Sequence, residues 1–231
     1  MPDGGWDLVA VAPSTHQVFV ARTANVTAVD LAHAGKARTL GQIERGHAAL
    51  PIPNSSRLLV TSGKDNSVYI LDQRTGRQIA RLAVGANPDA AIIDPTSRHA
   101  FVMNAKDGTV SVIDLATIRV YATVQLKPGL ELPAITPEGM LFINNEEANE
   151  IESIDLQTLR PGAAIPLPGC EGPTGLAFDP GSAKLISACA NRRCAFRPGN
   201  GTSRHRARSR RRDPRPVAPD RVYPVRPRRN T

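Results

Sequence analysis

Five stretches of this chain repeat one pattern: an apolar strand ending in Pro, a short turn, then a second apolar strand. They read LVAVAP-STHQ-VFVAR, ALPIP-NSSR-LLVTS, AAIIDP-TSRH-AFVMN, PAITP-EGM-LFINN and GLAFDP-GSAK-LISAC. The prolines are Pro13, Pro53, Pro95, Pro137 and Pro180, spaced 40, 42, 42 and 43 residues apart. Phe19, Leu59, Phe101 and Ile186 stand six residues after their prolines, and Phe142 follows Pro137 by five because its turn is one residue shorter. A third strand follows in the first four copies: NVTAVD, NSVYILD, GTVSVID and NEIESID. These end on Asp30, Asp72, Asp114 and Asp155, spaced 42, 42 and 41. A turn then leads to a fourth strand: ARTLGQI, RQIARLAVG, RVYATVQL or GAAIPLPG. Asp65-Asn66 and Asp107-Gly108 supply turn chemistry between second and third strands. Four short antiparallel strands per unit of about 42 residues make a β-propeller blade, which buries both faces only by stacking on its neighbours. A β-sandwich of unrelated strands does not account for the fixed Pro and Asp intervals. The expected fold is all-β: an incomplete propeller over residues 1–191, with four full blades and the inner half of a fifth.

Composition agrees. The 20 Pro and 18 Gly oppose a helical bundle. No apolar run approaches the roughly 20 residues of a membrane helix, so no membrane span is expected. Three cysteines are too few for a disulfide-built scaffold. The net charge of +8 divides unevenly. Residues 1–191 carry 15 Lys and Arg against 19 Asp and Glu, or −4, whereas residues 192–231 carry 14 Arg, no Lys and two Asp, or +12. Arg, Pro, Gly and Ala arise from GC-rich codons and Lys does not. The tail therefore reads as an out-of-frame translation, the alternative being a basic arm for nucleic acid or anionic lipid. Either way this Arg/Pro-rich stretch is expected to be disordered.

Inner strands of a propeller start around one mouth of its channel. Six residues before each repeat proline stand Asp7, His47, Asp89, Glu131 and Thr174, a partial polar ring suited to a divalent cation or a cationic ligand. Strand starts also tolerate polar residues merely because they are solvated. Asp30, Asp72, Asp114 and Asp155 are read as structural, accepting backbone N–H groups in the next turn. Glu146, Glu147, Glu150 and Glu152 read as a solvated loop, since they lack the calcium-loop pattern. Cys170 and Cys189 bracket the fifth inner hairpin, as a disulfide or as two buried thiols; Cys194 falls in the tail and is set aside. Trp6 is expected to pack within blade one. Among the histidines, His99 is expected at the surface. No GxSxG, HExxH, Walker A or GxGxxG motif is present.

The stretches VFVART…NVTAVDL, GANPDAAIIDP, AFVMNAKDGTVSVIDLATIRVYATV and CEGPTGLAFDP resemble the YVTN-repeat β-propeller (YncE-like) family over about residues 5–191. The resemblance implies seven blades, export to the periplasm or outside the cell, and a binding or surface role without an assigned reaction. The chain departs from that pattern: about 190 residues of repeat suggest a truncated ring, the start Met-Pro-Asp-Gly-Gly lacks signal-peptide character, and the repeat fails after Asn191, with Arg197 where a fifth Asp is due. The leading expectation is a non-catalytic propeller that binds a protein or small ligand at the channel mouth or blade edges. One alternative is a metal-dependent, lactonase-like hydrolase with Asp7, His47, Asp89 and Glu131 as ligands. Nucleic-acid binding through the tail is the least favoured. Open blade edges also predict self-association.

Overall fold

The computed structural model describes residues 5–33, 36–198 and 223–224. Its strands form five antiparallel sheets, one per repeat. Blade one is β1 (Trp6–Ala12), β2 (Gln17–Arg22), β3 (Val26–Asp30) and β4 (Ala37–Leu40); blade two is β5 (Gly46–Pro51), β6 (Arg57–Ser62), β7 (Ser67–Asp72) and β8 (Gln78–Ala83). Blade three is β9 (Pro88–Asp94), β10 (His99–Asn104), β11 (Thr109–Asp114) and β12 (Arg119–Gln125). Blade four is β13 (Leu130–Ile135), β14 (Met140–Asn145), β15 (Glu150–Asp155), β16 (Arg160–Pro161) and β17 (Ile165–Pro166). Blade five is β18 (Gly175–Asp179), β19 (Lys184–Ala188), β20 (Arg193–Phe196) and β21 (Tyr223–Pro224). The inner strands β1, β5, β9, β13 and β18 lie side by side in that order. The chain is a five-bladed β-propeller structure with no α-helix among the described residues.

Period-2 alternation explains the stacking, because successive side chains of a middle strand face opposite neighbours. On β6, Leu58 and Val60 join Phe19, Ala21, Val26 and Ala28 of blade one. Leu59, between them, packs with Ala100 and Val102 of blade three. On β10 the pattern recurs: Phe101 and Met103 turn the other way, toward Leu141 and Ile143 of blade four. Phe142 then packs with Leu176 and Leu185 of blade five. Four apolar clusters thus fill the four interfaces between five blades.

The outermost faces have no such cover. Val9 and Val11 of β1 are each 55% exposed, Ile186 of β19 is 38% exposed, and Trp6 is 72% exposed. The expected packing of Trp6 does not occur, because no blade stands beside that face of β1 among the described residues. Exposed apolar faces and free edges favour association. Sedimentation velocity over a concentration series is expected to show oligomers that the double variant Val9→Lys/Val11→Lys reduces. A wild-type chain that stays monomeric throughout would contradict this.

Two strand expectations are corrected. The fourth strand of blade four splits into β16 and β17, both paired with β15. Pro161, Pro166 and Pro168 lack N–H donors, which prevents a continuous ladder there. The fifth blade also continues past Asn191, since β20 pairs with β19 from Ala188↔Arg193 to Leu185↔Phe196. Its turn matches earlier blades in length, because Ser62↔Ser67, Asn104↔Thr109 and Asn145↔Glu150 close the same interval. The rest of the Arg/Pro-rich tail, residues 199–222 and 225–231, lies outside the described residues.

The repeated aspartates close turns. Asp30 Oδ1 accepts from Ala32 N at 2.8 Å, Asp72 Oδ1 from Thr75 N at 2.7 Å, Asp114 Oδ1 from Ala116 N at 2.7 Å and Asp155 Oδ1 from Gln157 N at 2.9 Å. Asp94 and Asp179 repeat the motif after inner strands, on Thr96 N and Gly181 N. These hydrogen bonds hold the Asp72 carboxyl, bonded foremost by Thr75, and the Asp114 carboxyl, bonded foremost by Thr117, below the usual range. A lowered native pKa contributes stability above the unfolded value of about 3.9, which is lost as pH falls through the native value. Circular dichroism from neutral pH downward is expected to show an acid limb below about pH 4. Asp72→Asn/Asp114→Asn is expected to melt lower at neutral pH and to lose less on acidification. A variant limb as steep as wild type would contradict the assignment.

Candidate functional site at the channel mouth

Asp7, His47, Asp89 and Glu131 are each the second residue of their inner strand. A register shift falls there in all four blades. Trp6↔Arg22 is followed by Val9↔Val20, and Gly46↔Ser62 by Ala49↔Val60. Pro88↔Asn104 is followed by Ala91↔Val102, and Leu130↔Asn145 by Pro133↔Ile143. Three residues on the inner strand therefore oppose two on the next, a β-bulge that re-aims side chains out of the pleat. The residue entering each bulged strand of blades two to four is left-handed: Arg45 (φ 63°), Asn87 (φ 53°) and Gly129 (φ 89°). Backbone groups freed by the bulges find partners. Thr61 Oγ1 accepts from Ala48 N at 2.9 Å and donates to Asp89 O at 2.8 Å, tying blade two to blade three. Leu132 N donates to Thr174 O at 3.2 Å, tying blade four to blade five.

Thr174 does not join the cluster through its side chain. Blade five pairs regularly from Gly175↔Ala188 onward, without a bulge. Thr174 precedes β18, is exposed, and contributes backbone groups instead.

Three of the ring residues meet closely. His47 Nδ1 donates to Asp7 Oδ2 at 2.7 Å and lies 3.6 Å from Asp89 Oδ1. One potential ligand atom from each of Asp7, His47 and Asp89 falls within 4.8 Å of the others. His47 is only 8% exposed, and its Nε2 is buried without a hydrogen-bond partner. Asn87 Oδ1 is likewise buried and unpartnered. Both atoms border one spot: a Cβ built on Gly63 would lie 2.7 Å from Asn87 Oδ1 and 2.9 Å from His47 Nε2. The histidine thus matches a metal-binding imidazole, whose far nitrogen is oriented by a carboxylate while the other nitrogen is held ready.

A cavity of about 570 Å³ opens here, lined by Gly63, Asn87, Asp89, Glu131 and Glu146 with Arg45 on its wall. Burial pushes the Glu131 carboxyl up to about 8, and the Asp89, Glu146 and Asp7 charges push the same way. Burial also raises Asp89; His47 opposes that and Asp7 adds to it. The Glu131 and Asp89 carboxyls therefore stand in a field that disfavours their joint ionisation, which a bound cation relieves.

Glu146 and Glu147 stand exposed in the loop after β14, whereas Glu150 and Glu152 lie on β15 and depart from the expected solvated loop. Glu152 is buried, with Oε1 accepting from Lys127 N at 3.3 Å, and Glu150 pairs with Lys127 Nζ. His99 is half-buried and stacks on Tyr121, 5.3 Å between ring centroids. Cys170 and Cys189 are joined as a disulfide. Sequence reasoning missed Asn87 and Gly63. A glycine directly after the second strand of blade two, opposite the ring histidine, is the signal that marks them. At the other end of the blades a larger groove of about 840 Å³ runs among Ile93, Pro95, Ile135, Pro137 and Phe178; it is mostly apolar and holds no comparable cluster.

No family model matches the chain, and no curated protein matches it. Among solved structures the chain is similar to Kuenenia stuttgartiensis hydrazine synthase, with a TM-score of 0.69 and 17% identity over 85% of this chain and 57% of that one. The chain thus spans little more than half the length of that structure, and at this identity the likeness bears on the fold alone.

Proposed function

We propose that this chain is a non-catalytic propeller module that binds a divalent cation at its channel mouth. The supporting observation is the convergence of Asp7 and Asp89 on a buried histidine whose Nε2 has no partner, beside the raised Glu131 carboxyl. Carboxylates supply hard oxygen donors, and the imidazole extends the range to manganese and zinc. A protein partner docked over the mouth or on a blade edge is the further role that a propeller scaffold serves. The repeat sequences support a YVTN-type assignment, and with it an exported protein.

Isothermal titration of the full chain with Mn²⁺, Ca²⁺ and Zn²⁺ tests the reading. The expected result is saturable binding to one site, weakened at least tenfold in Glu131→Gln and in Asp89→Asn. No binding by any of the three ions, or equal binding by wild type and both variants, would overturn it. A lactone-hydrolysis screen in the same ions separates simple binding from hydrolysis, because turnover lost in Glu131→Gln marks an enzyme.

A further inference from the structure

Blade five carries a second cluster of ligating side chains, remote from the ring residues in sequence. Cys194 lies on β20, fully buried, and its Sγ is 3.9 Å from Cys189 Sγ. Cys170 is buried as well, and Cys189 half-buried. The three sulfurs all fall within 4.8 Å of one another. Separate elements deliver them. Cys170 ends the turn after β17, where its N–H donates to Leu167 O at 3.0 Å; Cys189 opens the β19–β20 turn, where its N–H donates to Arg192 O at 2.7 Å; β20 places Cys194 opposite Ser187.

We propose that, once the Cys170–Cys189 disulfide is reduced, Cys170, Cys189 and Cys194 form a thiolate site for zinc. Tetrahedral zinc with Zn–S bonds of about 2.3 Å sets neighbouring sulfurs about 3.8 Å apart, close to the spacing already present between Cys189 and Cys194. A disulfide with one extra thiol at van der Waals distance is therefore the oxidised form of a three-sulfur site. Thiolates favour zinc over magnesium or calcium, which separates this site from the carboxylates of the mouth. The half-buried Cys189 leaves one side open for the ion, and water completes the coordination. Arg192, whose guanidinium lies against Gly169, places a positive charge next to Cys170 and offsets the surplus negative charge of three thiolates around one Zn²⁺.

The chemistry balances in two steps. A dithiol reductant transfers two electrons and two protons, so the Cys170–Cys189 bond breaks into two thiols while the reductant closes to its own disulfide. Zinc then forms three Zn–S bonds and three thiol protons pass to solvent, with no further change of oxidation state.

The test uses the full chain, reduced with excess dithiothreitol and desalted without oxygen. Zinc is expected to bind the reduced protein at one equivalent beyond the mouth site, and to bind the oxidised protein without that equivalent. Cobalt at the same site is expected to show thiolate-to-metal charge-transfer absorption. Cys194→Ser is expected to lose at least 100-fold in zinc affinity at this site and to lose that absorption. Wild-type protein supplies a second measurement, independent of how the variant folds: zinc is expected to protect all three cysteines from alkylation, mapped by mass spectrometry. A reduced chain that takes up no extra zinc, a Cys194→Ser chain that binds as tightly as wild type, or a Cys194 alkylated at the same rate with and without zinc would each overturn the proposal.

Discussion

Replacing Phe101 with Ala is expected to remove about 3–5 kcal/mol of stability, among the largest losses from a single truncation in this chain. Phe101 is 1% exposed and occupies the interface of blades three and four, with Met103, Val112, Leu141 and Ile143 around it. Its ring lies on the middle of the five blades, so the surroundings are braced on both sides and collapse poorly into the space left behind. The loss is a large part of the roughly 5–15 kcal/mol by which domains are stable. Urea unfolding followed by circular dichroism measures it. With a slope near 2–3 kcal/mol per molar, the midpoint is expected to drop by about 1.5 M. Tyr121→Ala, on the exposed strand β12, is the control and is expected to move it little. A Phe101→Ala midpoint within 0.3 M of wild type, roughly 1 kcal/mol or less, would show that blades three and four do not pack through this residue.

Phe101 also shows why so much of the fold was readable. The aromatic or aliphatic residue five or six positions after each of the first four repeat prolines is the knob that enters the next interface, and alternation around it records which neighbour each side chain meets. The Asp that ends each third strand acts within three residues of itself, so its turn chemistry is local and visible. What depended on partners was not. Trp6 lies on a strand whose alternation promises burial, but burial needs a facing blade, which the strand cannot announce. β20 was missed because Arg-Cys-Ala-Phe has neither a long alternation nor a closing Asp, although the interval from Ala188 to Arg193 matched three earlier turns. At the mouth, spacing alone selected Asp7, His47, Asp89 and Glu131. It also selected Thr174, which stands exposed before a strand without a bulge, because the bulge that re-aims a second strand residue is a backbone event without a residue signature. Which nitrogen of His47 is engaged, and that Asn87 and Gly63 border the other, is likewise set by tertiary packing.

The mouth is expected to grip a divalent cation more tightly as pH rises, by up to about tenfold per unit below pH 8 if one proton leaves Glu131 on binding. The sign follows from the raised carboxyl. Without a cation, the folded chain keeps the Glu131 proton up to about pH 8, whereas the unfolded chain releases it near the ordinary carboxyl value of 4.5. Stability from this group is fully present below about pH 4.5 and is lost as pH rises through about 8. A cation reverses the preference by favouring the ionised form, so it competes directly with the proton. Glu131→Gln is expected to flatten both trends at once: the cation-free protein gains alkaline stability relative to wild type, and cation affinity changes little between pH 6 and 8. His47→Ala acts differently. It removes the N–H that Asp7 accepts at 2.7 Å and leaves the carboxylates of Asp7 and Asp89 facing one another. It also deletes the unpartnered Nε2. Affinity is expected to fall about 10- to 100-fold with the pH slope preserved, because Glu131 still titrates. Calorimetric titrations of the three proteins at pH 6, 7 and 8 separate these effects. A wild-type affinity independent of pH, or a slope that disappears in His47→Ala but survives in Glu131→Gln, would show that the proton exchanged for the cation does not belong to Glu131.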